Sequence, residues 1–160
     1  MAVIPTNIIN TNYISRILSP NFNKNSIVIG LIKQSNNNDN KYLFYKNIYG
    51  DMVLPWTIYN FIPTHTNMML NIEQSKIINN YIIENIGIRP LNTSLYMNAI
   101  SPSWGYTNYL RYYIITNWAD NGNSHYTATK FMNLTDVKRG SSIYDDIIIN
   151  TLIDNSPDID

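Results

Sequence analysis

Short β-branched runs separated by polar turns alternate along this chain with two longer stretches whose apolar residues recur at helical spacing. Residues 26–33 (SIVIGLIK) and 41–46 (KYLFYK) read as strands, and the Asn-rich turn at 36–40 joins them as a hairpin with a long polar tip. After a turn containing Gly50, residues 52–55 (MVLP) form a short strand stopped by Pro55. Beyond a loop with Pro63 comes the strongest helix signal. Asn71 stands as a cap with Gln74 three residues on, Ile78, Ile82 and Ile86 recur every fourth position flanked by Ile77 and Tyr81, and Gly87 then Pro90 close the segment. That is a buried stripe on a helix of about four turns. Residues 95–100 and 109–118 follow as strands around a turn at 102–105, and residues 128–134 form a further short strand. Ser142 opens a last helix, 143–153, with Ile143, Ile147 and the Ile148/Leu152 pair facing inward. Residues 1–25 read as an arm carrying Ile8, Ile9, Tyr13, Ile14, Ile17 and Leu18, and residues 154–160 as a polar tail. Helices and strands interleave without regular βαβ spacing, which predicts an α/β (α+β) domain over 26–153 with a mixed β-sheet sandwiched between helices.

Composition narrows the function classes. The chain has 160 residues, 44% of them hydrophobic, which suits one globular domain. Only 14% are charged, and polarity comes instead from 26 Asn and 13 Tyr beside 27 Ile. The codons for all three are rich in A and T, so the bias fits an organelle, virus or phage, or AT-rich microbe. Eleven basic residues balance eleven acidic ones, with only Lys138-Arg139 as a local basic pair. That distribution argues against extensive nucleic-acid backbone binding and leaves limited RNA contact within an assembly. The absence of cysteine excludes disulfides, thiolate metal sites and Cys nucleophiles. No run approaches a membrane span, and the start of the chain carries no leader pattern, so an intracellular protein without a membrane partner is expected.

The element order resembles the Nudix fold. The local match begins at Leu54-Pro55, where that family has Leu-Pro-Gly-Gly after a strand. It resumes over 80–88 (NYIIENIGI) against the pattern Arg-Glu-U-x-Glu-Glu-x-Gly-U, with Ile82 and Ile88 in the aliphatic places, Gly87 as the glycine and Glu84 as the first of the paired glutamates. Residues 129–137 resemble the strand and turn before the last helix of that fold. The departures fall on chemistry. Trp56 and Thr57 stand where the glycines would be, Asn80 replaces the arginine, and Tyr81 and Asn85 replace glutamates. Positions 81, 84 and 85 share one helix face, where the resemblance implies clustered carboxylates holding magnesium against a diphosphate. Here that face offers one carboxylate, one amide and one phenol.

The resemblance therefore implies a degenerate member, with Tyr81, Glu84, Asn85 and Gly87 as vestigial positions, no catalytic residue, no metal ligand and no cofactor. Glu84 reads as a solvated helix acid, and His65 and His125 as loop residues. The alternative is a divergent metal-dependent hydrolase of nucleoside diphosphate derivatives, with magnesium held by Glu84, Glu73 and loop acids such as Asp120 or Asp136. The first reading expects a binding or scaffolding subunit whose partners are other proteins of an assembly. A Nudix-like large-subunit protein of mitochondrial ribosomes is similar over 101–118, and viral or phage proteins with worn Nudix folds fit almost as well. Trp104, Tyr109, Arg111 and Tyr113 are the interface candidates. Alternation sets Tyr109, Arg111, Tyr113 and Ile115 on one strand face and Leu110, Tyr112 and Ile114 on the other. Either one face is core and the other an aromatic surface of the kind that anchors partners, or both faces are buried with the hydroxyls bonded.

Overall fold

The computed structural model describes residues 25–34, 41–60, 66–103, 106–120, 128–137 and 142–155. Among the described residues two helices enclose mixed β-structure, as the interleaved pattern predicts. A four-stranded sheet runs in the order β4-β1-β7-β6, from Trp56–Asn60 (β4), Asn25–Ile32 (β1), Tyr106–Ile115 (β7) and Ser94–Ser103 (β6). A three-stranded sheet has the order β3-β2-β9, from Met52–Val53 (β3), Lys41–Lys46 (β2) and Thr129–Asn133 (β9). A two-stranded ribbon pairs Ile88–Pro90 (β5) with Trp118–Asp120 (β8). The helices are Asn67–Ile86 (α1) and Ile143–Asn155 (α2).

β1 and β7 pair in parallel at the centre of the larger sheet, and every other pairing among the described residues is antiparallel. A parallel central pair is covered on both faces, so its strands read as continuous apolar runs. In β1 the alternate residues Ile27, Ile29 and Leu31 join one core with Ile148, Ile149 and Leu152 of α2. Val28 and Ile32 join the other with Ile78, Ile82 and Ile86 of α1. Strand β2 divides in the same way, Tyr42 and Phe44 into the first core and Leu43 and Tyr45 into the second. Gly30 lies where α1 crosses β1. A Cβ there would stand 2.8 Å from Ile82 Cδ1 and 3.2 Å from Ile78 Cγ1, so the missing side chain sets how closely the helix approaches.

Several boundaries differ from the sequence expectation. β1 and β2 are not a hairpin: a single bridge, Lys33 to Tyr42, and one backbone bond from Gln34 N to Lys41 O (3.0 Å) join them before they enter different sheets. Pro55 does not end the strand region, because β4 begins at the next residue and forms the edge beside β1. α1 starts earlier than expected. Thr66 is its cap, its hydroxyl oxygen accepting from Met69 N at 3.1 Å, and Asn71 and Gln74 lie inside the helix. Gly87 ends it as expected, at φ 90° with its N–H on the carbonyls of Ile82 and Ile83. Trp118 belongs to β8, not β7. In α2, Ser142 caps as expected, Ile148 and Leu152 are buried, and Ile147 packs against the core, but Ile143 faces solvent at 46% exposure. Residues 1–24, the loop histidines, Trp104, Lys138-Arg139 and residues 156–160 lie outside the described residues.

The two-sided core makes direct demands. Ile82→Ala should cost about 2–5 kcal/mol in urea denaturation. Gly30→Ala should cost about 1–3 kcal/mol as an overpacking change. Combining it with Ile82→Val, which removes the opposing Cδ1, should give a loss smaller than the sum of the two singles. Strict additivity would mean that α1 does not rest on Gly30.

Candidate functional site

Because Ile78, Ile82 and Ile86 turn inward, Tyr81 is carried to the side of α1 that meets β2. Its hydroxyl and that of Tyr45 are hydrogen-bonded at 2.6 Å. Burial, reinforced by this bond and by the neighbouring Tyr81, pushes the Tyr45 hydroxyl far above the ordinary tyrosine range. Asn85 turns its amide back on its own helix, Nδ2 donating to Tyr81 O at 2.9 Å. Glu84 is exposed.

A cleft of about 510 Å³ opens beside Tyr81. Tyr45 (β2), Tyr49 (the turn after β2), Trp56 (β4), Tyr81 (α1) and Tyr144 with Asp145 (first turn of α2) contribute to its lining. The α2 end is held to the sheet by Asp145. Its Oδ1 accepts from Trp56 Nε1 at 2.8 Å and its Oδ2 from the Ser142 hydroxyl at 2.6 Å, while its backbone N–H donates to Ser142 Oγ at 3.1 Å. Ser142 thereby caps α2, and Asp145 in the third helical place returns a bond to the capping hydroxyl. The rings of Trp56 and Tyr144 pack with centroids 5.6 Å apart and planes tilted by 40°.

The Nudix fold implies a magnesium ion against this helix face, and the residues present do not fit one. Tyr81 offers a phenol already bonded to Tyr45, Asn85 an amide committed to the backbone, and Glu84 a single solvated carboxylate. Magnesium requires a set of hard, charged oxygen donors. The acids of the alternative ligand set are not gathered either. Glu73 lies near Tyr59, whose hydroxyl is raised first by burial and then by that charge. Asp120 sits in β8 opposite Ile88, and Asp136 is exposed in the 3₁₀ turn Leu134–Asp136. Among the described residues no three His, Asp or Glu side chains could share a metal.

The interface candidates separate. Tyr113 is wholly buried, which corrects its placement on a binding surface: its hydroxyl donates to Gln74 Oε1 at 2.8 Å under α1. Arg111 is half-buried, with its guanidinium on Gln74 Oε1, on Asn71 Oδ1 and 3.2 Å from the Tyr113 hydroxyl. On the opposite face Tyr112 is also buried, donating to Ile148 O at 2.7 Å. The strand is covered on both sides. Tyr109 alone of the described candidates keeps a surface, 37% exposed and opposite Ile100, itself 63% exposed. Asn71 and Gln74, read from sequence as a capping pair, are the polar floor on which Arg111 and Tyr113 rest. Sequence reasoning did not find Tyr45, Tyr49, Tyr144 or Asp145. The only sign of them was a bulky Trp56 in a glycine place.

Two outcomes follow. Arg111→Ala should destabilise the fold by roughly 1–3 kcal/mol, since it strips buried acceptors of a donor, whereas Tyr109→Ala should leave the melting curve almost unmoved. A tyrosine with a raised folded pKa contributes stability that is whole below its unfolded pKa of about 10 and is lost as pH rises beyond it. Denaturation midpoints should therefore fall above about pH 10, and Tyr45→Phe should make that alkaline decline shallower.

No protein-family model and no curated protein matches the sequence. The fold does have solved counterparts. An ADP compounds hydrolase is similar with a TM-score of 0.51 and 7% identity, over 81% of this chain and 71% of that one. The solution structure of the E. coli ORF135 protein gives 0.50 and 12%, over 85% and 94%. The NUDIX domain of Shewanella oneidensis NrtR, complexed with ADP ribose, gives 0.47 and 13%, over 80% and 85%. Identities this low speak for fold alone, and the fold is the mixed α+β sandwich of Nudix proteins.

Proposed function

We propose that this chain is a non-hydrolytic Nudix-like domain that works by binding, as a subunit of a larger assembly. One observation carries the reading: the helix face that would gather acids around a metal is filled by the hydrogen-bonded Tyr45–Tyr81 pair. Replacing a glutamate by a phenol removes charge where a diphosphate would need a metal to neutralise it. What stands in its place is an open cleft with aromatic walls, within the usual volume range of small-ligand sites. Contact with partner proteins fits the exposed Tyr109 and Ile100 on neighbouring strands better than the buried remainder of β7.

The hydrolase alternative draws on a different observation, the fold shared with an ADP compounds hydrolase. It would need magnesium at a face whose only carboxylate is that of Glu84. The two readings separate in one assay. Incubated with Mg²⁺ or Mn²⁺ and ADP-ribose, the purified chain should release no AMP or ribose phosphate. Turnover that disappears in Glu84→Gln would overturn the binding reading in favour of the enzyme.

A further inference from the structure

We infer that the aromatic cleft beside α1 takes a cationic ligand, a methylated ammonium group, and not an anion. This rests on the binding reading above and deepens it. Among the described residues the cleft lining holds five aromatic side chains and one charged group, the Asp145 carboxylate, with no lysine, arginine or histidine. Aromatic faces carry the negative end of the ring quadrupole and attract cations, most strongly where water is displaced. A phosphate entering the same space would meet ring faces and a like charge. Three donors on the wall point away from the cleft's contents: Trp56 Nε1 and the Ser142 hydroxyl donate to Asp145, and one hydroxyl of the Tyr45–Tyr81 pair donates to the other. Each oxygen of Asp145 keeps acceptor capacity beyond the one side-chain bond it accepts and retains the charge that complements a cation.

The chemistry of the lining also selects the kind of cation. A divalent metal needs several hard oxygens, and this wall supplies one carboxylate. A primary ammonium gives up three strong hydrogen bonds to water on entry, which aromatic faces do not replace. A methylated ammonium loses few or none, spreads its charge over apolar methyl groups, and gains from covering ring surface. That surface is open to solvent in the free protein: Tyr49 is 79% exposed and Tyr144 41%. Burying their faces around a compact cation is the usual way aromatic cages recognise quaternary ammonium groups.

The experiment titrates the full chain, by calorimetry and tryptophan fluorescence, with choline and with its neutral isostere 3,3-dimethylbutanol. A lysine peptide in trimethylated and unmodified forms is titrated in parallel, and ADP serves as the anionic probe. Saturable choline binding is expected, about tenfold tighter than that of the neutral isostere. Tyr144→Ala, at an exposed position, should weaken it at least about fivefold. Asp145→Asn should weaken it too, with circular dichroism confirming that α2 persists. Stronger binding of the trimethylated peptide than of choline would assign the cation to a protein side chain, and the reverse order to a free small molecule. The inference is overturned if neither methylated probe saturates at millimolar concentration, if the neutral isostere binds as tightly, or if ADP binds the cleft and Tyr144→Ala abolishes that binding. Metal-dependent turnover of ADP-ribose would sink the binding reading itself. Absence of both turnover and cation binding would sink only this inference.

Discussion

Everything else in the fold is arranged around the parallel pairing of β1 with β7. A parallel pair at the centre of a small sheet has no face to give to water, so each side needs its own helix and its own apolar set. β1 meets this with Ile27, Ile29 and Leu31 toward α2 and Val28 and Ile32 toward α1. Gly30 removes a side chain where α1 crosses. β7 meets it less simply, because it brings Arg111, Tyr112 and Tyr113 inside. Each polar tip then requires a partner, since an unpaired buried polar group costs more than a bond returns. Tyr112 finds the Ile148 carbonyl, and Arg111 and Tyr113 find Asn71 and Gln74. Two amides on the inner face of an otherwise aliphatic helix are explained by the strand beneath them.

The same packing decides what α1 can present. Its Ile stripe must face the sheet, so positions 81, 84 and 85 fall on a side of the helix away from that stripe. Tyr81 packs toward Tyr45, Asn85 binds its own backbone, and Glu84 is left in solvent. Opposite them, α2 is capped by Ser142 and tied to β4 through Asp145 and Trp56. The carboxylate that holds the cleft together is also the one charge among the described residues of its wall. Structural and recognition roles meet in that side chain, and for this reason Tyr144 separates them better than Asp145 does.

A fold shared at 7–12% identity with an ADP compounds hydrolase and the ORF135 protein says how the backbone is arranged and not what it binds. The discriminating information lies in charge. A diphosphate site needs positive charge to offset the ligand. The described wall of this cleft carries no cationic side chain, and its aromatic rings and single carboxylate have the opposite polarity. Similar backbones therefore need not share a ligand.

The sequence by itself determined the elements whose signal is local. The Ile78, Ile82 and Ile86 stripe, the Gly87 terminator, the Ser142 cap and the apolar run of β1 are each written in adjacent residues, because periodicity and capping act within a turn or two. The make-up of one α1 face, Tyr81 with Glu84 and Asn85, was legible for the same reason, since spacing alone sets which residues share a helix face. Tertiary structure decided the rest. Asn71 and Gln74 carry a capping pattern, but their partners are on a strand some forty residues away, which no local rule could supply. β1 and β2 look like a hairpin until β7 and β9 compete for their edges and win through longer registers. Whether β7 was a surface or a buried strand was undecidable from alternation, because Tyr and Arg suit either until a helix covers them. The cleft draws its walls from β2, β3, β4, α1 and α2, and a site built from five separate elements exists only once long-range packing has brought them together.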